Sequence, residues 1–112
     1  MIKNEIRKKI TKHAISLEKY GIHNLAWSKV DAQQLIYLID KDKIGIFGGD
    51  VYKLTSTLEA FPDNWSCEPT DSESEDAFNA RSKQESLKYI KNYPFEEGEK
   101  ILFSIIFTEQ IC

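Results

Sequence analysis

The chain has 112 residues, a formal net charge of −3 and 41% hydrophobic residues. This length fits one domain with a hydrophobic core of its own, so we expect a single domain over residues 1–112. The acidic balance argues against a general nucleic-acid binder, and we expect no direct contact with nucleic acid.

The cysteines and the apolar segments indicate the compartment. Cys67 and Cys112 form no CxxC pair, and no histidine stands at ligand spacing, which argues against a disulfide scaffold or a zinc site. No apolar stretch reaches membrane-spanning length, and the N-terminus lacks the apolar core of a signal peptide. We therefore expect a cytoplasmic protein with reduced thiols, no metal, no cofactor and no membrane contact.

The first predicted element is an amphipathic helix over residues 2–20. Its apolar positions recur at helical spacing, lysines occupy much of the remaining surface, and Gly21 follows as a candidate C-terminal cap. His13 lies within the apolar stripe, where a packed or rim histidine is a simpler interpretation than a catalytic one.

The second helix is predicted by a capping pattern. Residues 22–27 fit either a short edge strand or a loop that packs Trp27. In "SKVD", Ser28 can accept a hydrogen bond from the amide three residues on, which is typical of a helix start. The helix should continue to about Lys41, and its wide apolar arc indicates deeper burial than that of the first helix.

The stretch "GIFGGDVYKL" (45–54) reads as an apolar strand interrupted by Gly48, Gly49 and Asp50. Glycines within a strand pattern mark a bulge, or a place where backbone or a bulky ring comes close. One bent strand, or two short strands joined at the glycines, fits this pattern. We expect the carboxylate of Asp50 to accept hydrogen bonds from nearby amides at the bend.

The second half of the chain completes an α+β pattern. Residues 55–61 predict a turn and a returning strand, and residues 62–76 an ordered turn around Trp65 followed by a flexible loop. A third helix should span residues 74–93, where two serines between aromatic residues permit close approach to a sheet. We therefore predict three helices and a mainly antiparallel sheet, with strands near 43–47 and 101–107 at its centre.

Acidic side chains are concentrated in one segment without a single base between residues 59 and 76. Its members are Glu59, Asp63, Glu68, Asp71, Glu73, Glu75 and Asp76. A solvated loop that complements the positive end of the next helix is one interpretation, and a patch for a basic partner is the other. Trp65 is either the lid of a local core, with its indole N–H bonded to backbone, or an anchor at a binding surface.

Few residues suggest catalysis. No serine or cysteine stands in a glycine elbow, and "GIFGGD" lacks the spacing of a phosphate-binding loop. Asp50 and Asp63 are the one candidate carboxylate pair for metal or acid–base chemistry. The alternative is structural, with Asp50 at a bend and Asp63 in a turn or cap.

Two short motifs carry a family resemblance. "GGDVYKL", with Gly48, Gly49, Asp50 and Tyr52, is followed by "DNWSC", with Asp63, Asn64 and Trp65. With the helix sequence "ARSKQESLKYIKNY" and the terminal apolar strand, residues 25–108 resemble the bacterial immunity protein 40 family. Pro62 between Phe61 and Asp63 departs from the family pattern, in which an aromatic residue directly precedes "DNW".

The resemblance implies a protein without enzymatic activity that binds a cognate toxin domain. Such proteins accompany polymorphic or contact-dependent toxins, many of which are nucleases, and protect the producing cell. The partner-binding residues would then be Trp65 and the acids Glu68, Asp71, Glu73, Glu75 and Asp76. Two other functions stay open from the residues alone: a small metal- or nucleotide-dependent enzyme that uses Asp50 and Asp63, and a general adaptor module.

Overall fold

The computed structural model describes residues 3–55 and 58–109. In chain order the elements are α1 Asn4–Thr11, β1 Ile15–Ser16, a 3-10 helix Glu18–Tyr20, β2 Leu25–Ser28, α2 Lys29–Leu38, β3 Ile46–Leu54, β4 Leu58–Ser66, α3 Glu75–Asn92 and β5 Lys100–Phe107. Cys112, the start of the predicted first helix and part of the predicted turn after β3 lie outside the described residues.

The strands form one sheet in the order β1-β2-β5-β3-β4, and every pairing is antiparallel. The three helices and this sheet make a single compact globule, so the predicted α+β class is confirmed. β5 is the middle strand and β3 lies beside it, which confirms their predicted central position. Six of the eight residues of β5 are buried, because both of its faces are covered.

The predicted first helix is wrong beyond Thr11. Ile6, Ile10 and Ala14 pack into the core between the sheet and the helices, whereas Ile15 and Leu17 pack against the opposite face of the sheet. The chain must therefore turn around the sheet edge, and the β-branched Ile15 pairs there with β2. The apparent helical period joins two segments that cover different faces of the sheet, and His13 is exposed in the turn between them.

α2 begins at the predicted cap, but the strand before it and the end of the helix differ from the prediction. Trp27 is buried on β2, which is an internal strand, whereas the sequence had suggested either an edge strand or a loop. Its indole N–H donates to Ile10 O at 3.0 Å. The Ser28 hydroxyl accepts from the Asp31 amide, which confirms the predicted cap. α2 ends at Leu38, three residues before the predicted end, and the side chain of Leu38 is exposed.

A buried lysine of α3 donates hydrogen bonds to backbone carbonyls at the C-terminal end of α2. Lys83 is 3% exposed, and its ammonium donates to the backbone carbonyls of Ile39, Asp40 and Asp42 at 2.8–3.1 Å. These carbonyls follow the last turn of α2, where intrahelical N–H donors are absent and a cation is favourable. Burial nevertheless lowers the pKa of Lys83, and the nearby carboxylates of Asp40 and Asp42 oppose that shift.

Both strand irregularities lie near the glycines of β3. The register with β5 shifts by one residue between Ile46 and Gly48. The register with β4 shifts between Asp50 and Tyr52, so that residues 61–63 of β4 stand opposite Val51. Pro62 lies inside this second bulge, on an edge strand, where a missing N–H is tolerated. The predicted turn around Trp65 is wrong, because Trp65 lies within β4.

α3 packs closely on the sheet through its two serines, as predicted. The Ser82 hydroxyl accepts from the backbone N–H of Ile46, and Ser86 accepts from the indole N–H of Trp65. Both serines are fully buried. Because serine side chains are small, the helix axis can approach the strands. Their hydroxyl groups also accept from the N–H groups of Ile46 and Trp65, so these two donors are paired.

Gly49 provides a first test of this packing. A Cβ at Gly49 would collide with the Ser104 carbonyl oxygen and with the ring of Trp65. We expect Gly49→Ala to lower the free energy of unfolding by about 2–3 kcal/mol through overpacking, as measured by chemical denaturation.

Gly98→Ala is the matched control. No atom lies within 4 Å of an added Cβ there, but the φ angle of 87° is left-handed, so only backbone strain of about 1 kcal/mol applies. A loss at Gly49 no larger than the loss at Gly98 would contradict the close approach of the Trp65 ring.

Candidate functional site

The two motifs that carried the resemblance are neighbours across β3 and β4. Gly49 stands opposite Trp65, and Asp50 stands opposite Asn64. Asp50 is also opposite Ser104 on β5, and Tyr52 follows on the same face. Burial, followed by the charge of Asp50, raises the pKa of the Tyr52 hydroxyl. The "GGD" and "DNW" motifs are therefore two halves of one local structure.

The ring of Trp65, which projects from β4, lies between β3 and α3. It stacks on Tyr89 with centroids 4.7 Å apart and meets Phe103 edge-on at 6.4 Å. Its indole N–H donates to the Ser86 hydroxyl at 2.9 Å, whereas the lid interpretation expected a backbone acceptor. Trp65 is half-buried, so most of the ring is committed to the contact between sheet and helix.

The structure separates the two candidate catalytic carboxylates. Asp63 lies on the helix side of β4, where its carboxylate accepts from the Tyr93 hydroxyl at 2.6 Å. Asp50 alternates with Gly49 and Val51, which face the core under the helices, so its carboxylate lies on the other face of the sheet. It accepts no hydrogen bond there from another described residue, whereas we had expected amide donors at the bend. The two aspartates therefore cannot act on one bound metal or substrate.

The segment after Trp65, residues 68–76 (the acidic segment), is held by an arginine. Arg81 makes a bidentate ion pair with Glu73, at 2.7 and 2.8 Å, and donates to the backbone carbonyl of Glu68 at 2.7 Å. It also pairs with Glu85, one turn on. These hydrogen bonds lower the pKa of Glu73 and raise that of Arg81. Arg81 thus ties the acidic segment to α3 at two points, Glu68 and Glu73.

The acids of the acidic segment have different surroundings. Glu73 has a side chain only 12% exposed, because it faces Arg81. Glu68 and Asp71 are exposed, and Glu75 and Asp76 are exposed in the first turn of α3. The last two complement the positive end of that helix. Four of the five acids proposed for partner binding therefore face solvent, and the fifth orders the segment.

A groove opens between the C-terminal half of α3 and β4. It encloses about 580 Å³, and we call it the tyrosine groove; its lining residues are Asp63, Glu85, Lys88, Tyr89, Asn92, Tyr93 and Pro94. Trp65 stacks behind Tyr89 and so supports one wall of the groove. Tyr89 and Tyr93 are four residues apart, the spacing of neighbours on one helix face, but nothing in the sequence linked them to Asp63.

Two contacts of this region had no clear signal in the sequence. Arg81 and Glu73 are eight residues apart across a helix start, which is outside the i,i+4 spacing that predicts helix ion pairs. Ser86 gave no indication of its partner Trp65, since that contact depends on the sheet topology. Among the described residues, no group of three or more histidine, cysteine, aspartate or glutamate side chains could hold a metal ion.

The comparison with family models identifies the chain. The model of immunity protein 40 matches residues 16–107, which include β3, β4, α3 and β5. The chain belongs to the immunity protein 40 family. A search of the curated proteins found no match, and neither did a search of the solved structures. None of the described helices has the length and apolar character needed to cross a membrane.

The ion pair of Glu73 predicts a specific pH dependence. Because its pKa is lower in the folded chain than the ordinary value of about 4.3, the pair stabilises the fold above that value. This stabilisation disappears as pH falls through the folded pKa. Glu73→Gln should therefore lower the melting temperature near pH 7, and the difference from wild type should shrink between about pH 5 and pH 3.

Asp71→Asn serves as the control, because Asp71 is exposed and makes no ion pair with another described residue. Its melting temperature should differ little from that of wild type at pH 7 and at every pH down to about 3. A Glu73→Gln difference that stayed constant across the pH range would contradict the ion pair as the source of stability.

Proposed function

We propose that this chain is an immunity protein that binds a cognate bacterial toxin domain and neutralises it by tight association, without catalysis of its own. The observation that supports this proposal is the family match over residues 16–107. The separation of Asp50 from Asp63 agrees with it, because the best candidate carboxylate pair does not converge on one site.

The proposed toxin-binding face includes Trp65 and the acidic segment. Glu68, Asp71, Glu75 and Asp76 present four exposed carboxylates, while Arg81 fixes the segment between them through Glu73. An ordered acidic surface can steer a basic partner and orient it on encounter. A nuclease toxin fits this surface, since a cleft that holds phosphates is basic. Such a complex would form in the cytoplasm of the producing cell.

The direct test uses the product of a toxin-like gene adjacent to the gene of this chain. Co-expression should restore growth of cells that express the toxin domain, and the two proteins should co-purify as a complex of nanomolar affinity. A toxin domain that remains active and elutes separately from this chain would refute the proposal.

Charge steering is tested by a double variant, Glu68→Gln with Asp71→Asn, which leaves the Arg81–Glu73 pair intact. We expect its association rate to fall about three- to tenfold at low salt, with a smaller difference at moderate salt, because screening removes the long-range term. The control is Glu5→Gln with Glu59→Gln, which makes the same charge change at exposed positions elsewhere. Equal association rates for the two double variants would contradict charge steering by the acidic segment. The interpretation that its acids complement the positive end of α3 would then remain.

A further inference from the structure

The tyrosine groove is a separate feature from the acidic segment. Its walls come from different elements: Asp63 lies on β4, Tyr89 on α3, and Tyr93 directly after the last residue of α3. Its volume of about 580 Å³ exceeds that of one side chain, so it has room for a residue of a partner together with its neighbours. It is an indentation with aromatic walls, which is the environment in which interface hot spots concentrate.

The aromatic walls are fixed before any partner binds. Tyr89 stacks on Trp65, whose indole N–H is bonded to Ser86. Tyr93 packs edge-on against Phe103 at 5.6 Å, and its hydroxyl donates to Asp63. Side chains that are already ordered lose little conformational entropy when a partner binds, so their contacts contribute more fully to affinity.

The charge available in the groove is that of Asp63. Glu85 also lines the groove but is paired with Arg81, and Lys88 is the base in the lining. Burial and then the charge of Asp63 raise the pKa of Tyr89. The pKa of Tyr93 is raised by burial, by its hydrogen bond to Asp63 and by the charges of Asp63 and Glu99. Asp63 is therefore the carboxylate that acts on both tyrosines, through its charge on each and through its hydrogen bond to Tyr93.

We propose that the tyrosine groove binds an arginine side chain of the toxin domain, with the guanidinium stacked on the tyrosine rings and hydrogen-bonded to Asp63. A guanidinium combines a flat face for aromatic contact with donors for a carboxylate. A lysine ammonium offers no flat face, and a negative groove disfavours an acidic segment. The identification of the partner as a toxin rests on the proposed function, whereas the chemistry of the groove does not.

The chemistry of the groove can be tested without the toxin. The probe is a capped Gly-Arg-Gly peptide, and its control is the same peptide with citrulline, which has nearly the same shape but no charge. We expect the arginine peptide to shift the NMR signals of the Trp65 indole N–H and the Tyr89 amide in a saturable way. Citrulline should bind about tenfold more weakly or not at all. Equal shifts with both peptides, or shifts with neither, would overturn the proposal.

Two variants assign the binding to the groove. Asp63→Asn keeps an acceptor for the Tyr93 hydroxyl but removes the charge, and should weaken the arginine peptide about tenfold. Lys88→Glu adds negative charge at an exposed position, so it should strengthen binding even if Asp63→Asn disturbs the fold. Glu5→Gln, on α1, should bind like wild type. Unchanged affinity in Lys88→Glu together with a folded, fully binding Asp63→Asn would refute the assignment.

The toxin complex separates the two proposals. If the toxin domain binds wild type and Asp63→Asn equally well, the groove proposal fails and the proposed function stands. If no toxin domain binds but the arginine peptide still requires Asp63, the proposed function fails and the groove is an arginine site for another protein. Loss of toxin binding in Asp63→Asn, with a melting temperature near that of wild type, supports both proposals.

Discussion

The contact between Trp65 and Gly49 determines how the sheet meets its longest helix. The ring of Trp65 lies so close to Gly49 that a Cβ there would overlap it, and the same ring donates its N–H to Ser86 and stacks on Tyr89. One side chain thereby joins β3, β4 and α3. Because the ring is large and its only donor is paired, this joint holds through both packing and a satisfied hydrogen bond.

The tyrosine groove depends on that joint, and the acidic segment is tied to the same helix. Stacking on Trp65 places Tyr89 beside Tyr93 and fixes one wall of the tyrosine groove. On the N-terminal half of α3, Arg81 draws in the acidic segment through Glu73. Both features therefore lie along one helix, next to the edge strand β4. This arrangement gives a binding protein a rigid surface that combines aromatic contacts with an acidic margin.

The sequence predicted most of the elements but few of the contacts between them. The Ser28 cap, the serine arc of α3 and the apolar runs of β3 and β5 have local causes, and they are where the sequence placed them. The prediction of the first helix was wrong beyond Thr11, because apolar residues that cover opposite faces of the sheet happen to recur at helical spacing. Trp65 was assigned to a turn because its polar neighbours resemble loop residues, whereas the topology makes them an edge strand. Pairing of Gly49 with Trp65, and of Arg81 with Glu73, requires tertiary placement that no local pattern encodes.

Hydrogen exchange of the Trp65 indole N–H, followed by NMR, tests the joint between sheet and helix most directly. Trp27 provides an internal reference, since its buried indole N–H donates to a backbone carbonyl in the core. If Trp65 joins the sheet to α3 as described, its indole should exchange only when the domain unfolds, at a rate within about tenfold of that of Trp27. Exchange of the Trp65 indole near the rate of a free indole, while Trp27 stays protected, would contradict the account.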